Sequence, residues 1–83
     1  MTKQEILRHI DHTQLKAFCT WEDIKKLCDE AIEYNTASVC IPPSYIERIK
    51  ETYGDKINIC TVIGFPLGYN TTETKVFEVK DAI

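Results

Sequence analysis

Hydrophobic residues recur along this chain with two different periods. Between Trp21 and Asn35, the residues Ile24, Leu27, Cys28, Ala31 and Ile32 keep the i, i+3, i+4, i+7, i+8 spacing of one apolar stripe. Thr20 stands ahead of that stripe, with Glu22 and Asp23 in the first turn. An acceptor and negative charge placed there satisfy free N–H groups, so a capped helix buried along the stripe is predicted. Two further segments carry a capping-box pattern: Thr2 with Glu5 ahead of Ile6, Leu7 and Ile10, and Ser44 with Glu47 after Pro42 and Pro43. The second of these runs through Tyr45, Ile46, Ile49 and Tyr53 and should stop at Gly54. A last helix, capped by Thr71 or Thr72, puts Val76, Phe77, Val79 and Ile83 on or near one face.

Three segments between the helices read as strands: "IDHTQL" (10–15), "ASVCI" (37–41) and "INICTVI" (57–63). Strand and helix alternate three times, which predicts βα units on a parallel sheet. Period two then divides each strand. Val39, Ile41, Ile57, Ile59, Thr61 and Ile63 fall on one face; Asp11, Thr13, Leu15, Ser38, Cys40, Asn58, Cys60 and Val62 fall on the other. A sheet with helices on both sides should be apolar on both faces, and this one is not. The mixed face is either the lumen of a closed barrel or the wet side of a one-sided sheet.

Eighty-three residues make one small domain or a piece of a larger one, and a chain this short buries too little surface to be more than marginally stable alone. At 43 % hydrophobic and 28 % charged the composition is that of a folded protein. The net charge of −3 comes from interspersed acids and lysines, so no basic stripe offers itself to nucleic acid or to an anionic membrane. No apolar run is long enough to span a bilayer, and the amphipathic N-terminus lacks the apolar region of a secretory signal. A cytoplasmic location is expected. Cys19, Cys28, Cys40 and Cys60 include no CxxC pair; scattered thiols suit a reducing compartment better than a disulfide framework or a zinc ribbon.

Asp11 and Thr13 are the sharpest candidates for chemistry. Asp is depleted from strands and must find a partner when buried. A carboxylate and a hydroxyl on one side of a strand can hold a polar substrate or orient a catalytic group. The plainer alternative is a structural Asp satisfied by backbone, His9, His12 or Lys16. Cys40 shares their face but has no assignable base, which favours a small buried hydrophobe over a nucleophile. Lys16 follows the first strand, where lysines are mostly solvated. "GFPLG" (64–68) makes a tight βα loop without the pattern of a phosphate cradle. His9 and His12 lack further ligands and, on a strand, diverge; no metal site and no cofactor are expected.

The ordered segments "IDHTQL", "SVCIPP" and "TVIGFPLG", at these separations, resemble the N-terminal part of deoxyribose-phosphate aldolase, from about Ile10 to the last residue. The resemblance implies an α/β fold, a partial (β/α)8 TIM barrel with an N-terminal helix at 2–9 and three βα units at about 10–35, 37–53 and 57–83. It implies a class I aldolase that needs no metal and reversibly cleaves 2-deoxy-D-ribose 5-phosphate to acetaldehyde and D-glyceraldehyde 3-phosphate through a lysine Schiff base. By position, Asp11, Thr13, Leu15, Cys40, Val62 and Phe65 match substrate-pocket residues. The family's Schiff-base lysine, the second lysine and the proton-relay aspartate lie on later strands, so no catalytic residue is expected in these 83 residues and the chain alone should be inactive. A small-molecule sugar phosphate is the expected partner of the complete enzyme, and exposed strand edges predict a homo-oligomer. The alternative is a non-catalytic half-barrel module that self-assembles or binds a sugar phosphate.

Overall fold

The stripe between Trp21 and Asn35 becomes the helix around which the fold is organised. In a computed structural model describing every residue from Met1 to Ile83, the chain forms α1 (Lys3–Leu7), β1 (Asp11–Thr13), α2 (Trp21–Tyr34), β2 (Ser38–Ile41), α3 (Ile46–Tyr53), β3 (Ile59–Thr61) and α4 (Thr72–Ala82). The three strands are parallel in the order β1-β2-β3. Two short 3-10 turns, Pro43–Tyr45 and Gly54–Lys56, flank α3.

α2 begins with a complete capping box. The Thr20 hydroxyl accepts from the Asp23 N–H at 3.3 Å, and the Asp23 carboxylate accepts from the Thr20 N–H at 3.0 Å. It ends at Asn35, whose φ of 53° is the left-handed conformation that Asn tolerates. Ile24, Leu27, Cys28 and Ala31 are buried as the spacing requires, but Ile32 is 43 % exposed. Ile32 sits at the margin of the stripe, and no element packs over that margin.

The core forms where this helix and α3 cover one face of the sheet. Val39 and Ile41 of β2, with Ile49 of α3, are at most 1 % exposed, and Ile57 closes the lower edge. The Tyr53 hydroxyl donates to Asp29 Oδ1 at 2.7 Å, tying α3 to α2. Burial first, then that bond and the Asp29 charge, holds the Tyr53 proton well above its ordinary range. Burial, with a smaller push from Asp29, raises the Cys28 thiol to about 11.

Two further expectations are corrected. The Ser44–Glu47 capping box does not form. Pro42 and Pro43 instead lead a 3-10 turn, and α3 starts only at Ile46, with Tyr45 in the N-cap position. Tyr45, the N-cap, uses its side chain elsewhere and makes no capping bond; proline's fixed φ suits that first turn, so the chain tightens before the α-helix can begin. The regular strands are shorter than the apolar segments, although bonds from Ala37 N to Ile10 O and from Gln14 N to Cys40 O continue the ladder by one residue at each end of β1. α1 and α4 bury no residue; Val76, Phe77, Val79 and Ile83 are all more than 40 % exposed. No helix is long and apolar enough to cross a membrane.

Candidate active site

The residues after each strand meet above the sheet. Leu15 and Lys16 follow β1, Pro42 to Tyr45 follow β2, and Val62 with Phe65 and Pro66 follows β3; together they line an open cleft of about 570 Å³. The cleft lies at the carboxyl ends of the parallel strands, where ligand sites of α/β barrels are built because the βα loops converge there.

Local chemistry holds each wall. Tyr45 donates its hydroxyl to the Cys19 carbonyl at 3.1 Å, and its ring stacks on Trp21 at 6.4 Å between centroids. Arg48 covers the indole at 4.2 Å. Across the cleft, Gly64 takes φ of +64°, and Gly68 N donates back to Gly64 O at 2.6 Å, closing the loop that carries Phe65. α4 fastens that loop through Glu78, which accepts from Gly64 N at 3.0 Å, and through Lys75, whose ammonium donates to Gly68 O at 3.1 Å.

The six residues singled out from the sequence therefore separate into two levels. Leu15, Val62 and Phe65 line the cleft. Asp11, Thr13 and Cys40 lie below it on the uncovered face of the sheet. The register pairs Asp11 with Ser38, Thr13 with Cys40, and Cys40 with Cys60, so these side chains stand in rows on one surface. Asp11 Oδ1 accepts from the Ser38 hydroxyl at 2.6 Å, and the Thr13 hydroxyl donates to the Asp11 carbonyl at 2.8 Å. Asp11 thus has a cross-strand partner and still faces open space. His12 points the other way, 3.6 Å from Glu30 on α2. Burial, then Cys60 and the Asp11 charge, raises the Cys40 thiol above its ordinary value, which makes it a poor nucleophile.

The sequence reading set Lys16 aside as solvated and did not anticipate Tyr45 or the proline pair as walls. Lys16 is exposed but borders the cleft. The signal available was positional: each follows a strand, and in a parallel sheet such residues share one end. Chemically, the arrangement offers apolar walls above a small hydrogen-bonding floor. It can shape a pocket for a small polar molecule with an apolar end. It brings together no activated nucleophile with a base.

Alternating parallel strands and helices, with a cleft at the strands' carboxyl ends, form part of a (β/α)8 barrel. The family model for "DeoC/LacD family aldolase" matches residues 6–83. The chain belongs to that family. A deoxyribose-phosphate aldolase of Clostridium botulinum (strain Alaska E43 / Type E3) is 69 % identical over all 83 residues, which amount to 38 % of that relative. One of Clostridioides difficile (strain 630) is 68 % identical over 80 residues, 96 % of this chain and 36 % of the relative. Among solved structures, the tetrameric deoxyribose phosphate aldolase of Aeropyrum pernix superposes with a TM-score of 0.90 at 30 % identity, covering 98 % of this chain and 35 % of that one. The chain spans a little over a third of the length of the relatives it matches.

Proposed function

We propose that these residues are the first three strand–helix units, at about 10–35, 37–53 and 57–83, of an aldolase that reversibly cleaves 2-deoxy-D-ribose 5-phosphate to acetaldehyde and D-glyceraldehyde 3-phosphate in the cytoplasm. The observation that carries the reading is the cleft itself: the segments "IDHTQL", "SVCIPP" and "TVIGFPLG" all end in it or run directly beneath it.

In the complete barrel a lysine amine on a later strand attacks the substrate carbonyl, and water leaves to give the Schiff base. A neighbouring ammonium lowers that lysine's pKa so that free amine is present near neutral pH. In the synthetic direction the enamine then attacks the second aldehyde. This chain's share is binding and orientation. Asp11 and Thr13 supply hydrogen-bonding groups on the floor toward substrate hydroxyls, Cys40 fills space beside them, and Leu15, Val62 and Phe65 exclude water around the aldehyde carbons. Lys16, Lys56, Lys75 and Lys80 are not in the position of the amine, so the chain alone does not turn over. The open strand edges and the bare inner face favour assembly, with the rest of the barrel or between copies.

The test is reductive trapping. The chain is incubated with deoxyribose 5-phosphate and borohydride, and its intact mass is measured. The unchanged mass is expected. A stoichiometric adduct at one lysine overturns the assignment of roles. Saturable stabilisation by the ligand without an adduct favours the non-catalytic sugar-phosphate-binding module instead.

A further inference from the structure

The register of β2 and β3 sets Cys40 directly beside Cys60. Strand alternation sends both side chains to the inner face, where both are half-buried, and both thiols are free. The aldolase reading asks of Cys40 only that it fill space, and it gives Cys60 no task. We propose that Cys40 and Cys60 form a dithiol site for trivalent arsenicals, R–As=O, in which one arsenic atom bridges the two sulfurs.

Spacing decides against the simpler alternative of a direct bond. Neighbouring strands lie roughly 4.8 Å apart, and the Cβ atoms of a registered parallel pair stand about as far from each other. A disulfide needs them within about 3.5–4.5 Å, so closing one would pull the strands together. An atom inserted between the sulfurs removes that demand.

Charge decides among the bridging species. Burial, the neighbouring Cys60 and the Asp11 carboxylate all hold the Cys40 proton in place. A pair in which one thiol resists ionisation is poorly suited to a divalent metal, which needs deprotonated sulfur. An arsenical makes no such demand. Two thiols and R–As=O give R–As(SR′)2 and water: two As–S bonds form, the As=O bond breaks, and both thiol protons leave in the water. Arsenic stays trivalent, no electrons are exchanged with another molecule, and the adduct is neutral. The other two cysteines offer no such pair. Cys28 is fully buried on the opposite side of the sheet, and Cys19 lies in the loop before α2.

The experiment uses phenylarsine oxide and the intact chain. Bound stoichiometry is read by native mass spectrometry, and protected thiols are mapped by alkylation. Cleavage after glutamate isolates residues 34–47, with Cys40 as their one thiol, and residues 52–73, with Cys60 as theirs. One arsenical per chain is expected, protecting both peptides, leaving Cys19 open to alkylation, resisting a monothiol and released by a dithiol. Cys40→Ser and Cys60→Ser each should weaken binding about 10²–10⁴-fold, because the second bond is then no longer intramolecular. Cys19→Ser should bind like the parent, with far-UV circular dichroism confirming that each variant is folded. Protection of a single peptide, protection centred on Cys19 or Cys28, or unweakened binding by folded Cys60→Ser overturns the proposal. Aldolase activity is never read, so this outcome is independent of the function proposed above.

Discussion

Ile41 and Cys40 are sequence neighbours on β2 that face opposite ways, and truncating each to alanine measures the two faces of the sheet separately. Ile41 is fully buried between the sheet and the helices. Ile41→Ala removes three carbon groups, about 2.4 kcal/mol at about 0.8 kcal/mol each, and the cavity left behind raises the cost to about 3–4 kcal/mol. Cys40 stands half-exposed on the bare face, and Cys40→Ala should cost less than about 1 kcal/mol. For a chain of this size 3 kcal/mol lowers the midpoint by roughly 12–24 °C. Urea and thermal unfolding, followed by far-UV circular dichroism, give both numbers on the same chain. Loss of cooperative unfolding in the Ile41 variant agrees with the expectation, because only nine of 83 residues are buried and the total stability is small. Equal costs, or a larger cost at Cys40, would refute the reasoning by showing that the inner face is itself a packed core.

Three other perturbations test the elements around the site. Thr20→Ala removes the hydroxyl half of the α2 capping box and should lower stability by about 1 kcal/mol in urea. Gly64→Ala puts a Cβ 3.3 Å from the Lys75 side chain at a φ of +64°; a loss of at least about 1 kcal/mol is expected, with greater proteolysis of the 64–70 loop. Cys28 keeps its proton to about pH 11 when folded, whereas the unfolded thiol releases it near 9, so between those values the unfolded state binds fewer protons. The contribution of Cys28 should therefore be constant below pH 9 and fall above it, by at most about 1.4 kcal/mol per pH unit. Cys40, whose thiol is also raised, acts in the same direction above pH 9 and Tyr53 above pH 10, so Cys28→Ala should reduce the decline without abolishing it in a urea titration across pH 7–10.5.

The order of elements and the two-faced sheet were legible in the sequence because both rest on periodicity. Val39 and Ile41 alternate with Ser38 and Cys40, and that alternation alone separates the buried face from the bare one. Element ends were less legible because they depend on local competition. At Ser44, a good capping pattern lost to the rigid Pro42–Pro43 pair, whose fixed backbone starts a 3-10 turn first. Ile32 and the apolar residues of α4 met the spacing of a buried face, yet burial also requires a neighbour, and periodicity does not say whether one is present. The cleft was partly legible, since three of the six chosen residues line it. Strand parity put Asp11, Thr13, Leu15, Cys40 and Val62 on one face, and motif resemblance added Phe65 above it. Tyr45, by contrast, is brought to the cleft only by the turn that displaced the cap.

Turnover on mixing tests the central claim most directly. The chain is combined with a separately produced segment of the 69 % identical Clostridium botulinum relative, comprising the part of that protein beyond the matched region. Cleavage of 2-deoxy-D-ribose 5-phosphate is followed as acetaldehyde released. The account predicts no release from either piece alone and release from the equimolar complex, reduced by Phe65→Ala in this chain. Release from the chain by itself, or silence from a complex that has demonstrably formed, would contradict it.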